Sequence, residues 1–178
     1  GIPTRCEFFD TETATNISRE FGPADIVIAR NVVPHVAEIH EGLAGAVQLL
    51  HGGGLVAIEF HHAGSILKGL QYDSIYHEHL FYFSLETLCS LCERHGLYPF
   101  DIFESPISGG SLTVFLSRHR HPPSLRLDEA TDRDRHLDTN SHSRWASFAD
   151  SAIKHAAALK GVLDEYSRSG KVVGYGAS

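Results

Sequence analysis

The sequence predicts an α/β fold: a largely parallel sheet that ends in an antiparallel hairpin, then a long helix and the first strand of a second α/β domain. Three observations carry this expectation. Short β-branched runs alternate with amphipathic helical stretches, the turns between them are short and bounded by glycine or serine, and past residue 140 apolar side chains recur every three or four positions.

Asp25 to Ala29 (DIVIA) is an apolar run ending at Arg30-Asn31, the pattern of a buried parallel strand that passes into a loop. EIHEGLAGAVQLL then places Ile39, Leu43, Val47 and Leu50 at helical spacing, and the following HGGG supplies glycines of the kind that close a helix. LVAIEF, Leu55 to Phe60, reads as the second strand, so strand, helix and strand make one parallel crossover unit. From Ser84, a natural N-cap, a stripe of Leu85, Leu88, Leu91 and Cys92 runs to a stop at Gly96. LYPFDIFES and GGSLTVFLS suit an antiparallel hairpin at a sheet edge. A helix of about eight residues reaching the charged stretch near Arg133 is weakly patterned. Trp145, Phe148, Ala152, His155, Leu159, Val162 and Tyr166 mark one amphipathic helix from Ser141 to Ser169. The chain opens in GIPTRCEFFD as if in mid-domain and closes in KVVGYGAS, a strand running into Gly-x-Gly. It is therefore expected to be a segment of a longer protein.

Composition excludes several classes. A chain of 178 residues with 42% hydrophobic content can bury one good core. A net charge of -7 leaves no basic stripe to neutralise phosphates, which argues against a nucleic-acid partner or an anionic membrane surface. No apolar run approaches the roughly 18 residues of a membrane span. Three cysteines make no disulfide framework, which fits a reducing, cytoplasmic setting. Cys89 and Cys92 form a C-x-x-C in a helical pattern, where buried apolar thiols are the commoner case than redox or zinc chemistry.

The chemistry concentrates in QYDSIYHEHLFYFSL, where Tyr76, His77, Glu78 and His79 stand among aromatic residues. Two imidazoles flanking a carboxylate cost desolvation energy in such surroundings unless a site uses them. In an extended segment Tyr76 and Glu78 share a side; in one helical turn Tyr76 and His79 do. Either way a histidine can take a proton, a carboxylate can hold its tautomer, and a phenol can donate to an oxygen gaining charge. Ligands of parallel α/β sheets lie beyond the carboxyl ends of the strands, which adds Asn31 and His35 after the first strand and Glu59 through His62 after the second. His-x-His is also a metal-ligand spacing, so a metal hydrolase using His61, His62, His77 and His79 stays open on this reading. So does a non-catalytic assembly domain built on the long helix.

The ordered set FFDTETA, ADIVIARNVVPHV, GGGLVAIEF, YDSIYHEHLFYFSL, GGSL and GKVVGYGAS resembles the S-adenosylmethionine-dependent C-methyltransferases that act on dTDP-linked keto-deoxysugars. The resemblance runs the length of the chain. It implies a Rossmann-like class I methyltransferase sheet, of which residues 1–123 are the second half, a helical connection over 124–169, and the start of a substrate-side domain at 170–178. It implies that His79 removes the proton at carbon 3 of a 4-keto sugar, with Glu78 as its orienting partner, Tyr76 as donor to the keto or enolate oxygen, and His35 close by. Phe8, Phe9 and Asp10 match the stretch bordering the cofactor's adenosine, and Ala29 and Asn31 the strand end facing its methionine part. No metal is implied within this chain, since zinc belongs to an N-terminal module of the family that this chain lacks, as is the glycine-rich cofactor loop. The family commonly has a histidine before GGSL where this chain has Ser108, which weakens a substrate role for that loop.

Overall fold

A computed structural model describes residues 1–175, and its chain falls into two compact units, Gly1–Thr139 and Asn140–Ser178. The first unit holds a four-stranded sheet in the order β1-β2-β4-β3, made of β1 (Ala24–Arg30), β2 (Leu50–His61), β3 (Tyr98–Ser105) and β4 (Ser111–Ser117). β1 and β2 are parallel, with Arg30 opposite Glu59 at their carboxyl ends; β4 runs antiparallel to both β2 and β3. Its helices are α1 (Thr11–Phe21), α2 (Ile39–Leu49), α3 (Ala63–Gly69), α4 (Leu85–Arg94) and α5 (Leu125–His136). The core gathers Val56, Ile58 and Phe60 of β2, Val114 and Leu116 of β4, and Leu85, Leu88, Leu91 and Cys92 of α4. Burying such side chains is worth ~1.5–3 kcal/mol each.

The expected strand–helix–strand unit and the edge hairpin are both present, but β1 is not the buried strand its apolar run suggests: it lies at the edge of this sheet, and Ile26 and Ile28 are exposed. His51 to Gly54 do not terminate α2 as a cap; the helix passes at Leu50 directly into β2, which therefore begins five residues earlier than the apolar run suggests. Gly54 serves close packing instead: a Cβ on it would lie 2.7 Å from the Asp25 carbonyl oxygen. The helix α1 went unpredicted, because its polar sequence TETATNISREF carries little apolar stripe; Asp10 caps it by accepting from the Thr13 amide at 2.7 Å. α2 packs beside it, and Gly45 makes this approach feasible, since a Cβ there would stand 2.6 Å from the Asp10 carbonyl oxygen. α4 begins as expected, with a reciprocal capping box between Ser84 and Thr87, and ends with Gly96 in the left-handed region at φ +74°.

α5 is longer than the weak pattern suggests, and it is not wholly a solvated surface. Asp134, within the mixed-charge run, is buried at 5% exposure. The second unit contains α6 (His142–Ser169), capped by Ser141, close to the expected bounds. Ile153, Val162 and Tyr166 on it are exposed. The strand expected in 170–178 is not seen over 171–175, which carry no strand pairing, and the last three residues lie outside those described. Among the described residues no helix is long and apolar enough to cross a membrane.

Candidate active site

The two parallel strands end side by side, and their tips set the site. Beyond Arg30, whose guanidinium meets the Glu59 carboxylate at 2.7 Å, the chain turns at Asn31, which adopts a left-handed φ of +51° and donates its amide to the Glu59 carbonyl. Asparagine tolerates that conformation better than most side chains. A single 3-10 turn, Val33–His35, follows with Pro34 near its start. The segment that carries the tetrad is tied to this turn through the main chain: the amides of Leu80 and Phe81 both donate to the Pro34 carbonyl oxygen, at 2.9 and 3.2 Å. At its far end Ala63 donates to the Phe83 carbonyl at 2.9 Å, beside an isolated bridge between His62 and Phe83.

Just before these anchors the tetrad forms one tight turn, closed by the His79 amide on the Tyr76 carbonyl at 3.1 Å. Of the two arrangements open to the sequence, the structure adopts the helical one, so Tyr76 and His79 share a face. Their rings lie 4.3 Å apart, and the Tyr76 hydroxyl is 3.2 Å from Nε2 of His79. Nδ1 of His79 lies 3.0 Å from the Ser74 carbonyl oxygen, which can only accept, so Nδ1 carries the hydrogen in the neutral ring. Nε2 is then the basic nitrogen, and Tyr76 donates to it. His35 packs against the same ring with centroids 4.7 Å apart, and its own Nδ1 donates to the Glu78 carbonyl oxygen at 2.9 Å. Tyr82 closes the group, its hydroxyl accepting from the Tyr76 amide at 3.2 Å.

Tyr76, His79 and His35 are thus brought together. Glu78 joins them through its main chain, while its carboxylate is exposed; the acceptor on His79 Nδ1 is Ser74. His77 is exposed, its ring nearly perpendicular to that of Tyr76 with centroids 6.5 Å apart. Phe8 and Phe9 are exposed just before α1, Asp10 is committed at one oxygen to its cap, and that bond from Thr13 holds its carboxyl below the usual range. Ala29 and Asn31 stand at the tip of β1.

The sequence places His61 and His62 at a strand end, but not the partners that hold them, Gln71 and Asp134. His61, at the end of β2, is buried, and its Nε2 meets Gln71 Oε1 at 2.8 Å; Gln71 in turn donates to the Gly109 carbonyl at 3.0 Å. Burial, above all, holds the His61 imidazole below its ordinary value; the bond to Gln71 opposes this, and the charges of His79 and His62 reinforce it. His62 points away to Asp134, Nε2 to Oδ1 at 3.0 Å. The four histidines His61, His62, His77 and His79 therefore do not converge, and among the described residues no three His, Cys, Asp or Glu side chains are grouped to hold a metal. Cys89 and Cys92 are core thiols, each pushed up to about 12, mainly by burial, and so remain protonated.

Residues 3–100 match the family model of the methyltransferase domain, and residues 106–178 match that of the C-methyltransferase C-terminal domain. The first match ends within β3 and the second begins just after it. The C-methyltransferase NovU of Streptomyces niveus is 33% identical over 180 residues, an alignment that takes in 99% of this chain and 43% of that protein. The chain thus spans less than half the length of the curated relative it matches.

Proposed function

We propose, from the premise that this chain belongs to the methyltransferase family, that it forms part of an enzyme transferring a methyl group from S-adenosylmethionine to carbon 3 of a dTDP-linked 4-keto-deoxysugar, with His79 as the base. One observation carries this reading. The Ser74 carbonyl on Nδ1 leaves the His79 lone pair on Nε2, facing the Tyr76 hydroxyl, an arrangement that suits a base with a hydroxyl donor at hand.

The chemistry needs that pairing. A carbon–hydrogen bond beside a ketone is acidic because the electrons left behind move onto the carbonyl oxygen. His79 Nε2 accepts the proton, and a positioned histidine base contributes roughly 10²–10⁴ in rate. The oxygen then gains charge and needs a donor. Tyr76, its hydroxyl already 3.2 Å from the basic nitrogen, is within reach of that oxygen once substrate separates the two. His35 presents a second imidazole on the same face.

Phe8, Phe9, Asp10, Ala29 and Asn31 would hold the cofactor. Two exposed rings suit a purine, the Asp10 oxygen not used by the cap suits ribose hydroxyls, and a small side chain with a left-handed turn leaves the β1 tip open. When bound, S-adenosylmethionine supplies an electrophilic methyl group. The partner is a small nucleotide sugar in a cytoplasmic setting; neither nucleic acid nor membrane is required.

In the full-length protein, His79→Ala should abolish methyl transfer and leave cofactor affinity within a few-fold; unchanged turnover would remove His79 from the base role. A 4-ketone has two flanking carbons. Solvent deuterium should wash into carbon 3 in the presence of enzyme; exchange at carbon 5 alone would move the methylation site while leaving the base in place.

A further inference from the structure

His61 has one ring nitrogen more than its structural contacts use. Along β2 the side chains alternate: Phe60 is fully buried and His62 turns to Asp134, while Glu59 and His61 occupy the opposite side, where Glu59 meets Arg30 at the tip of β1. The His61 ring is only 7% exposed by residue, and it feels the charge of His79.

Its tautomer follows from a chain of donors. The Gly109 carbonyl can only accept, so the amide nitrogen of Gln71 faces it at 3.0 Å. Gln71 Oε1 must then face the imidazole, at 2.8 Å from Nε2, and an oxygen acceptor requires the hydrogen on Nε2. Nδ1 is left with its lone pair. It has no hydrogen-bond partner among the described residues, yet no side-chain nitrogen or oxygen there is both sealed from solvent and unpartnered, so Nδ1 opens to solvent. The Gln71 amide that sets this arrangement is itself wedged between two glycines: a Cβ on Gly69 would lie 2.7 Å from Gln71 Nε2, and one on Gly109 would lie 2.5 Å from it. Gly109 also holds a left-handed φ of +76°. A stitch between β2 and the 107–110 turn would need Nε2 alone. A nearly buried imidazole with an open acceptor at a strand tip, within reach of the charge of the proposed base, has the form of a ligand contact.

We propose that His61 is a substrate-binding residue: held by Gln71, it offers Nδ1 as acceptor to a hydroxyl of the sugar that the tetrad acts on. This rests on the sugar reading above and adds a recognition residue to it. The geometry accounts for burying a neutral, tautomer-fixed ring: an acceptor of fixed direction distinguishes a hydroxyl from a hydrogen at one sugar carbon, because a site built to bond a hydroxyl is left unpaired by the analogue lacking it.

The test is equilibrium binding of a dTDP-4-keto-6-deoxyhexose, and of its 2-deoxy and 3-deoxy analogues, to the full-length protein. His61→Gln places an amide N–H near the position of Nε2, so the bond to Gln71 persists while the acceptor at Nδ1 is lost. Affinity for the hydroxylated sugar should fall about 5- to 20-fold, and for one deoxy analogue the variant and the wild type should bind alike. Binding by His61→Gln within twofold of wild type for every sugar overturns this inference alone. Failure of the wild type to bind the nucleotide sugar overturns the sugar reading and this inference with it. A measurement free of variants uses wild type with ¹⁵N-labelled histidine: the His61 Nδ1 signal should be that of an unprotonated nitrogen and move upfield on adding the sugar; a protonated Nδ1, or no movement at saturation, refutes it.

Discussion

Replacing Asp134 by alanine should destabilise the protein by ~2–5 kcal/mol at pH 7, a figure that follows from its partners. The carboxylate is 5% exposed and accepts from His62 Nε2 at 3.0 Å, from the Leu85 amide at 2.9 Å and from the Thr139 hydroxyl at 2.6 Å. Alanine leaves the Leu85 amide, in the first turn of α4, and the ring N–H of buried His62 without acceptors, while the Thr139 hydroxyl keeps the Asp134 carbonyl at 3.3 Å. Each orphaned buried donor costs ~1–3 kcal/mol, and loss of a negative charge at a helix start adds up to ~1 kcal/mol. Release of the carboxylate from its buried site offsets part of this. Asp134→Asn retains one acceptor oxygen and should cost about half as much. Urea unfolding followed by far-ultraviolet circular dichroism measures both. The pH dependence supplies a second check. Burial pushes the Asp134 carboxyl up, but bonds from His62 and Thr139 outweigh it, so its pKa sits below 3.8 in the folded protein. The native state then binds fewer protons than the unfolded one. Its stabilising contribution is complete above pH 3.8 and is lost as pH falls through the depressed folded value. The gap between wild type and Asp134→Ala should therefore still be open at pH 5 and close as pH falls below 3.8. A gap under ~0.5 kcal/mol at pH 7, or one already closed at pH 5, would refute the reasoning.

Three further outcomes are expected. In the full-length protein, under the function proposed above, Glu78→Gln should retain methyl transfer within a few-fold, since the Ser74 carbonyl meets His79 Nδ1; a loss of ~10²-fold would return that task to the carboxylate. Gly45→Ala should lower stability by ~1–3 kcal/mol through its clash with the Asp10 carbonyl, whereas Gly161→Ala, with open space around its Cβ in α6, should raise it by up to ~1 kcal/mol; melting curves of equal sign for the two would discount the packing argument. With Ellman's reagent at pH 8, exposed Cys6 should react first, and Cys89 and Cys92 only on unfolding, because thiols held near 12 carry almost no thiolate.

Much of this architecture can be read from period and caps. DIVIA, LVAIEF and the Ser84 cap carry their own signals, and the apolar stripe of α4 is the one that meets the core. The motif-level resemblance to C-methyltransferases agrees with both matched family models. What the sequence hides is tertiary. α1 is held by a side-chain cap and by its contact with α2, not by a hydrophobic stripe of its own. HGGG looks like a helix stop, yet sheet pairing draws it into β2. Asp134 sits in a run of charges and is indistinguishable there from its solvated neighbours until His62, 72 positions away, arrives to pair with it. Ser74 and Pro34 act on the site through carbonyl oxygens, which every residue has, so their identity announces nothing.

That last point bears on how the site keeps its shape. The two Nδ1 acceptors, on Ser74 for His79 and on Glu78 for His35, bracket the same tight turn, so one stretch of backbone sets the tautomer and direction of both rings. The stretch is fastened to the β1 side by the Pro34 carbonyl and to the β2 side by the pairing at His62 and Phe83. Main-chain carbonyls cannot swing to a new rotamer as a carboxylate can, and their placement follows the strands to which they are fastened. The basic nitrogen of His79 is thereby aimed by the sheet itself, and the side chains at 77 and 78 are left to face solvent. If His79 is the base proposed above, methyl transfer by the full-length protein should tolerate substitution at either exposed position and fail when the fastening at Pro34 or Phe83 is disturbed.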